Sequence, residues 1–233
     1  MAGRFQGFAQ EGLTFLQQVR RENDKAWFEE NRFIYERSVL EPFRALVDDL
    51  APVMLEIDPL IETRSAIGKT LSRIHRDTRF SQDKSLYRDR MWLTFKRPAK
   101  NWTDAPAYFF GITPDEMHYG LGYYSASKPT MDLFRHTLKQ RPAQFLEVAE
   151  CCRAPFELIG ESYKRPLVKD LDPAIATWYN RKSFAAIVDT HDIEPLFGAG
   201  LVTLLAEGFR QLEPLYQWLM NVETMKQVDP ADL

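Results

Sequence analysis

Residues 107–124 read AYFFGITPDEMHYGLGYY, and this stretch decides the fold class. AYFFGIT (107–113) and EMHYGLGYY (116–124) are aromatic and β-branched, as residues on a pleated, half-buried surface are. Thr113-Pro114-Asp115 supplies a turn between them. Two such runs across a short turn read as a hairpin, so the sheet is at least partly antiparallel. MWLTF (91–95) reads as a further strand, and SFAAIVD (183–189) as a late one.

Helices flank this centre. On the N-terminal side, Phe8, Phe15, Leu16 and Val19 recur at helical spacing. Asp24 is placed to cap a second helix carrying Trp27, Phe28, Ile34 and Tyr35. Pro42 opens a third with the stripe Phe43, Leu46, Val47, Leu50. Pro52 would kink or end it, although Met54 and Leu55 keep the pattern going. On the C-terminal side helices are expected at 129–140 and 142–152. Asp172-Pro173 opens a short one carrying Ile175, Trp178 and Tyr179. Residues 193–222 are mostly helix, broken near Pro214. Helices, then strands, then helices with one late strand describe an α+β fold rather than a doubly wound series. No repeat, low-complexity tract or long linker interrupts residues 1–233, so a single domain is expected.

The chain has 233 residues, of which 45% are hydrophobic and 13% aromatic. Sixteen Phe, nine Tyr and five Trp are too much apolar surface to leave solvated, which excludes intrinsic disorder. The net charge of −3 argues against a protein that coats nucleic acid. Charge is segregated, however. Residues 69–100 carry ten Lys/Arg against three acids, and residues 192–233 carry seven acids against two bases. The only cysteines, Cys151 and Cys152, are adjacent and read as reduced small residues in a helix. No run approaches the ~20 apolar residues that span a bilayer, and the N-terminal stretch has no signal-like apolar region. A soluble cytoplasmic protein is the expectation.

The positive block centres on RIHRDTRF (73–80). Taken as extended chain, its alternation puts Arg73, His75, Asp77 and Arg79 on one face, and Ile74, Arg76, Thr78 and Phe80 on the other. Next-but-one neighbours on a strand lie ~6.5 Å apart, so two or three of these groups can share one small oxyanion. Arginine offers a planar donor fork that suits carboxylate or phosphate. Ser81, Gln82, Asp83 and Lys84 form a polar turn whose N–H groups suit an anion, and Tyr87 and Arg88 follow. The candidate ligand-binding residues are therefore Arg73, Arg76, Arg79, Ser81, Asp83, Lys84, Tyr87 and Arg88. Asp77 and Asp83 are organisers, and His75 with Asp77 is the candidate catalytic pair. The alternation also suits a cross-strand ion-pair ladder with no ligand.

Other signals are thinner. His118 shares a face with Glu116 and Tyr124 and could approach His75. His191 between Asp189 and Asp192 reads as a helix-start cluster. Tyr119, Tyr123 and Tyr124 with Gly120 and Gly122 mark a strand whose backbone is closely approached, by a helix or by a flat ligand. No HExxH, CxxC, GxSxG, Walker or GxGxxG motif occurs. No metal is expected and no cofactor is indicated. A metal would need ligands gathered from His75, Asp77, His118 and Glu116.

Several segments together resemble one family. They are FLQQVRRENDKAWFEENRFIYE (15–36), RIHRDTRFSQDKSLYR (73–88), GLGYYSAS (120–127), RKSFAA (181–186) and PLYQWLMN (214–221). Their order and spacing resemble the bacterial family known as domain of unknown function 2461, over about residues 8–222. The most specific match is Arg76, Asp77, Arg79, Phe80, Ser81, Asp83 and Lys84. Asn23, Trp27 and Phe28 come second. The family often continues Asp-Lys-x-Pro-Tyr-Lys, where this chain has Ser85-Leu86-Tyr87-Arg88. The resemblance implies one compact cytoplasmic domain and no particular activity. The residues themselves favour a basic pocket over 73–88 for an anionic, phosphate-bearing ligand, with phosphoester chemistry as an option. A non-catalytic protein-interaction module is the alternative. Nucleic-acid binding, with Trp92, Phe95 and Trp102 as stacking surfaces, is the third.

Overall fold

A computed structural model describes residues 4–79 and 82–226. The N-terminal helices are α1 (Gln10–Glu22), α2 (Lys25–Tyr35) and α3 (Glu41–Ile57), the last two joined by a π-helical stretch over Glu36–Leu40. Asp24 caps α2 by accepting from the Trp27 N–H. Pro42 stands in the first turn of α3 as expected. Pro52 does not end that helix, because the buried stripe Leu50, Met54 and Ile57 carries it through.

The strands are β1 (Met91–Phe95), β2 (Pro106–Ile112), β3 (Met117–Tyr123), β4 (Glu157–Ile159) and β5 (Ala185–Thr190). They form one antiparallel sheet in the order β1-β2-β3-β5-β4. The C-terminal half supplies α4 (Lys128–Gln140), α5 (Pro142–Ala149), α6 (Pro173–Tyr179), α7 (Gly200–Gln211) and α8 (Glu213–Met225). The α+β reading is thus the observed architecture. The expected helix 142–152 is shorter, since Glu150–Cys152 tightens to a 3₁₀ turn. The helix break near Pro214 falls at Leu212, and Pro214 sits in the first turn of α8, where its missing N–H costs nothing.

Close contacts group into two units. The first holds the chain through Phe95, with Phe109–Tyr119 and Asp189–Glu207. Its core is aromatic: Phe8 packs on Phe43 and Phe110, and Phe15 on Trp27, Phe28 and Tyr35. The outer edge of β1 is covered by residues 70–72. The Thr94 N–H donates to Thr70 O at 2.8 Å and the Ser72 N–H to Trp92 O at 2.9 Å. The pairing then continues in a new register, Arg88 N to Ile74 O and Arg76 N to Leu86 O, both 2.8 Å. Asp89 and Arg90 form the bulge that shifts it.

Residues 73–79 are therefore not a regular strand, which corrects the extended-strand expectation there. A single bridge, His75 to Tyr87, stands in that stretch. The physical reason is local. Asp77 Oδ1 accepts from the Arg79 N–H at 3.2 Å and Asp83 Oδ1 from the Ser85 N–H at 2.9 Å. Such side-chain turns compete with a ladder. The expected facing nonetheless survives: Arg73, His75, Asp77 and Arg79 are exposed, Ile74 is buried, and Arg76 and Thr78 are half-buried.

The second unit holds Lys96–Tyr108, Gly120–Val188 and the chain from Gly208. Its core joins Phe134, Phe145, Trp178 and Phe184, with Trp218 edge-on to Phe145. Buried Arg135 donates to the carbonyls of Tyr179 and Arg181 at 2.9 and 2.6 Å and pairs with Asp132. What approaches Gly120 and Gly122 is neither a helix nor a ligand but the backbone of β5. A Cβ on Gly120 would lie 2.0 Å from Ala186 O, and one on Gly122 would lie 2.5 Å from Phe184 O.

Backbone atoms cannot swing aside, so Gly120→Ala should cost about 3 kcal/mol and lower the melting temperature by roughly 10 °C in calorimetry. Gly200→Ala, with nothing within 4 Å of the added carbon, should leave it unchanged or slightly raised.

Candidate functional site

The site is built on Asn23. This residue ends α1 in the left-handed conformation, φ 39°, which asparagine tolerates better than most residues. Its Oδ1 accepts from the N–H groups of Leu86 and Tyr87 at 2.6 and 3.0 Å. Its Nδ2 donates to Val19 O at 3.1 Å and Tyr87 O at 2.9 Å. One side chain thus ties the end of α1 to the return strand of the basic segment. Phe28 adds an apolar clamp. It stacks on Tyr87 with centroids 4.1 Å apart and planes 10° apart, and its ring lies 5.6 Å from His75. Trp27 and Phe28 do anchor the first helix pair, and Phe28 also anchors the basic segment.

Beyond this clamp lies an open cleft of about 560 Å³ lined by Arg73, His75, Arg76, Asp77, Thr78, Arg79, Arg88 and Trp92. Arg76 pairs with Asp83 at 3.0 Å and Arg79 with Asp77 at 2.7 Å. Hydrogen bonds from the Arg79 guanidinium and backbone hold the Asp77 carboxyl well below the usual range, at about 2. The Ser85 N–H and hydroxyl lower Asp83, with Arg76 assisting. Arg88 donates through Nη1 to Arg73 O and His75 O at 2.7 and 2.8 Å, and its guanidinium lies over Trp92, 5.2 Å from the ring centroid. Arg73 is exposed and has no carboxylate partner among the described residues. Four guanidinium groups meet two carboxylates here, an excess of two positive charges.

Six of the expected site residues therefore line one cleft: Arg73, His75, Arg76, Asp77, Arg79 and Arg88. Lys84 donates to Thr78 O at 2.9 Å and closes the loop. Tyr87 is 4% exposed, stacks on Phe28, and has its phenol pKa raised by burial. Ser81 and Phe80 lie outside the described residues. The Asp77 carboxylate bonds Arg79 rather than His75. Thr78 and Trp92 belong to the cleft without having been singled out for an anion. Trp92 was legible as a strand aromatic and as a stacking surface for the nucleic-acid alternative, and nothing in the sequence sets its register against Arg88.

The remaining candidates have other surroundings. His118 lies beside Gly111, where an added Cβ would come within 2.5 Å of its Nε2, and packs on Phe109. Burial pushes its pKa down, against the attraction of Asp189 and Glu116. His191 Nδ1 sits 3.2 Å from Asp115 O, and Asp192 caps the following turn through the Glu194 N–H. No group of three or more His, Cys, Asp or Glu placed to hold a metal occurs among the described residues. Phe95 is fully buried and offers no stacking surface. Arg181 is a brace for the carbonyls of Gly160 and Leu158, and Lys182 pairs with Glu161. No helix among the described residues is long and apolar enough to cross a membrane.

Two expectations follow. Asn23→Ala loses four hydrogen bonds and strains the helix end, so chemical denaturation should show a loss of about 2–3 kcal/mol. Neutral His118 gains nothing from folding above its unfolded pKa of about 6.5. Below it the unfolded chain takes up the proton first, so stability falls toward the depressed folded value. His118→Gln should show a smaller loss of stability between pH 7 and pH 5 than the wild type in parallel urea titrations.

No curated protein matches the chain. A family model described as a conserved hypothetical protein does match, over residues 11–218, which include the Asn23 clasp and the whole cleft. The chain belongs to that family, DUF2461.

Proposed function

We propose that the cleft over residues 73–92 binds a small anionic, phosphate-bearing ligand. The observation that carries this reading is Arg73, an exposed guanidinium beside an open cleft with no carboxylate partner among the described residues. A guanidinium presents five N–H donors in a fixed fork that matches phosphate oxygens. Arg76 has one contact to Asp83 and faces the same space. Thr78 adds a hydroxyl. Arg88 and the Asn23 clasp fix the backbone that carries these groups, so little ordering entropy remains to be lost on binding.

Phosphoester chemistry in this cleft would use His75 alone as proton carrier, because Asp77 is committed to Arg79. Arginines would then stabilise developing charge. Binding is the primary reading and chemistry the extension. The two reduced cysteines fit a cytoplasmic setting.

Isothermal titration with pyrophosphate at low ionic strength tests the reading. The wild type should bind one equivalent, more weakly as salt rises. Arg73→Gln should weaken binding about tenfold or more, the scale of one charge-assisted hydrogen bond. Arg44→Gln, on α3 and paired with Glu41, should leave it unchanged. Equal affinity of wild type and Arg73→Gln, or no binding by the wild type, defeats the proposal. A phosphoester panel with wild type and His75→Ala separates binding from catalysis.

A further inference from the structure

Far from the basic segment in sequence, the two cysteines fall in the 3₁₀ turn that follows α5. Both are partly exposed, and their sulfurs lie 3.6 Å apart. The turn is held from outside: Gln211 Nε2 donates to Cys151 O at 3.0 Å and to Arg153 O at 3.3 Å. Leu215, in the first turn of α8, lies close enough for its N–H to favour the Cys151 thiolate. The pair is thus presented on fixed backbone at a helix start, an electropositive setting that favours thiolate.

The spacing discriminates between the chemistries open to two thiols. Adjacent residues have Cα atoms ~3.8 Å apart, below the ~4.4–6.8 Å that an unstrained disulfide takes. Closing the pair into a disulfide would therefore strain it. Two thiolates on opposite sides of a linear centre, ~2.3 Å from it, would stand ~4.6 Å apart, whereas two on a tetrahedral centre stand ~3.8 Å apart. The observed 3.6 Å matches the bent arrangement. No third His, Cys, Asp or Glu joins the pair among the described residues. The occupant must therefore bring its remaining substituents with it.

We infer that Cys151 and Cys152 form a chelating dithiol for a soft, thiophilic centre of bent geometry that needs only two protein ligands, a monosubstituted trivalent arsenical being the simplest. The reaction balances without an oxidant. An R–As=O group exchanges its oxygen for two As–S bonds, and the oxygen leaves as water with the two thiol protons. Arsenic and sulfur keep their oxidation states. The S–H of Cys152 and then the Leu215 N–H hold the Cys151 thiol pKa below its ordinary value, against burial. Donation to Cys151, burial and the neighbouring charge hold that of Cys152 up. One thiol attacks first and the second closes the ring, its proton leaving with the oxygen.

The test uses the full native chain, phenylarsine oxide, intact-mass measurement and thiol titration. One adduct per chain with loss of both titratable thiols is expected. Excess glutathione, a monothiol, should not displace it, whereas dithiothreitol should. Cys151→Ser and Cys152→Ser should each retain the arsenical about a hundredfold or more less firmly, the scale of a lost second attachment. An adduct that glutathione strips from the wild type, or that either single variant holds as firmly, overturns the inference. Circular dichroism verifies that the variants fold. If one does not, the glutathione competition on the wild type decides alone.

Discussion

The geometry of the basic segment depends on the side chain of Asn23. Two acceptor and two donor contacts converge on one amide, and three of the four go to the backbone of residues 86–87. Asn23 leaves the helix at φ 39°, and its side chain bonds both Val19 O in the last turn of α1 and the return strand. Phe28 completes the attachment through Tyr87 and His75. From there the pairing of 74–76 with 86–88 fixes where the carbonyls of Arg73 and His75 point, and those carbonyls orient Arg88. The charged groups are thus carried on backbone that is hydrogen-bonded on both sides.

That backbone is also protective. β1 is an edge strand, and an unpaired edge is a template for association with another chain. Residues 70–72 occupy it, and across Asp89-Arg90 the pairing changes register. Arg20 ties the bulge down by bridging Asp89 and Asp115, both at 2.7 Å. Exposed pairs of this kind add little stability singly. Their consequence here is positional, because they hold the bulge where the register changes.

Much of the fold was legible because the signals were local. Asp24, Pro42, Asp172 and Pro214 sit at helix starts for reasons confined to one turn of chain. The aromatic and β-branched runs of β1 to β3 are nearly continuous, with a turn between β2 and β3. Three features escaped because no local pattern marks them. Asn23 meets residues 63 and 64 positions away. The covering of β1 by 70–72 carries no strand pattern of its own. β4 is three residues long and mostly exposed. The cleft was half legible. Alternation put Arg73, His75, Asp77 and Arg79 on the exposed side, but the side-chain turns at Asp77 and Asp83, which break the strand, depend on which donor each carboxylate takes.

The arginines show why an excess of positive charge is weak evidence until each partner is known. Arg135 and Arg181 bind carbonyls and brace backbone. Arg20, Arg76 and Arg79 have carboxylates within 3.0 Å. In these cases the chain itself supplies what a guanidinium seeks, and no ligand is needed to explain the residue. Arg73 differs in kind rather than in degree. It borders an open cleft on braced backbone, and the acids that follow it in the segment are taken: Asp77 by Arg79, Asp83 by Arg76 and Asp89 by Arg20. A guanidinium so placed keeps a field that no direct carboxylate contact among the described residues neutralises, and the paired arginines around it add to the local charge.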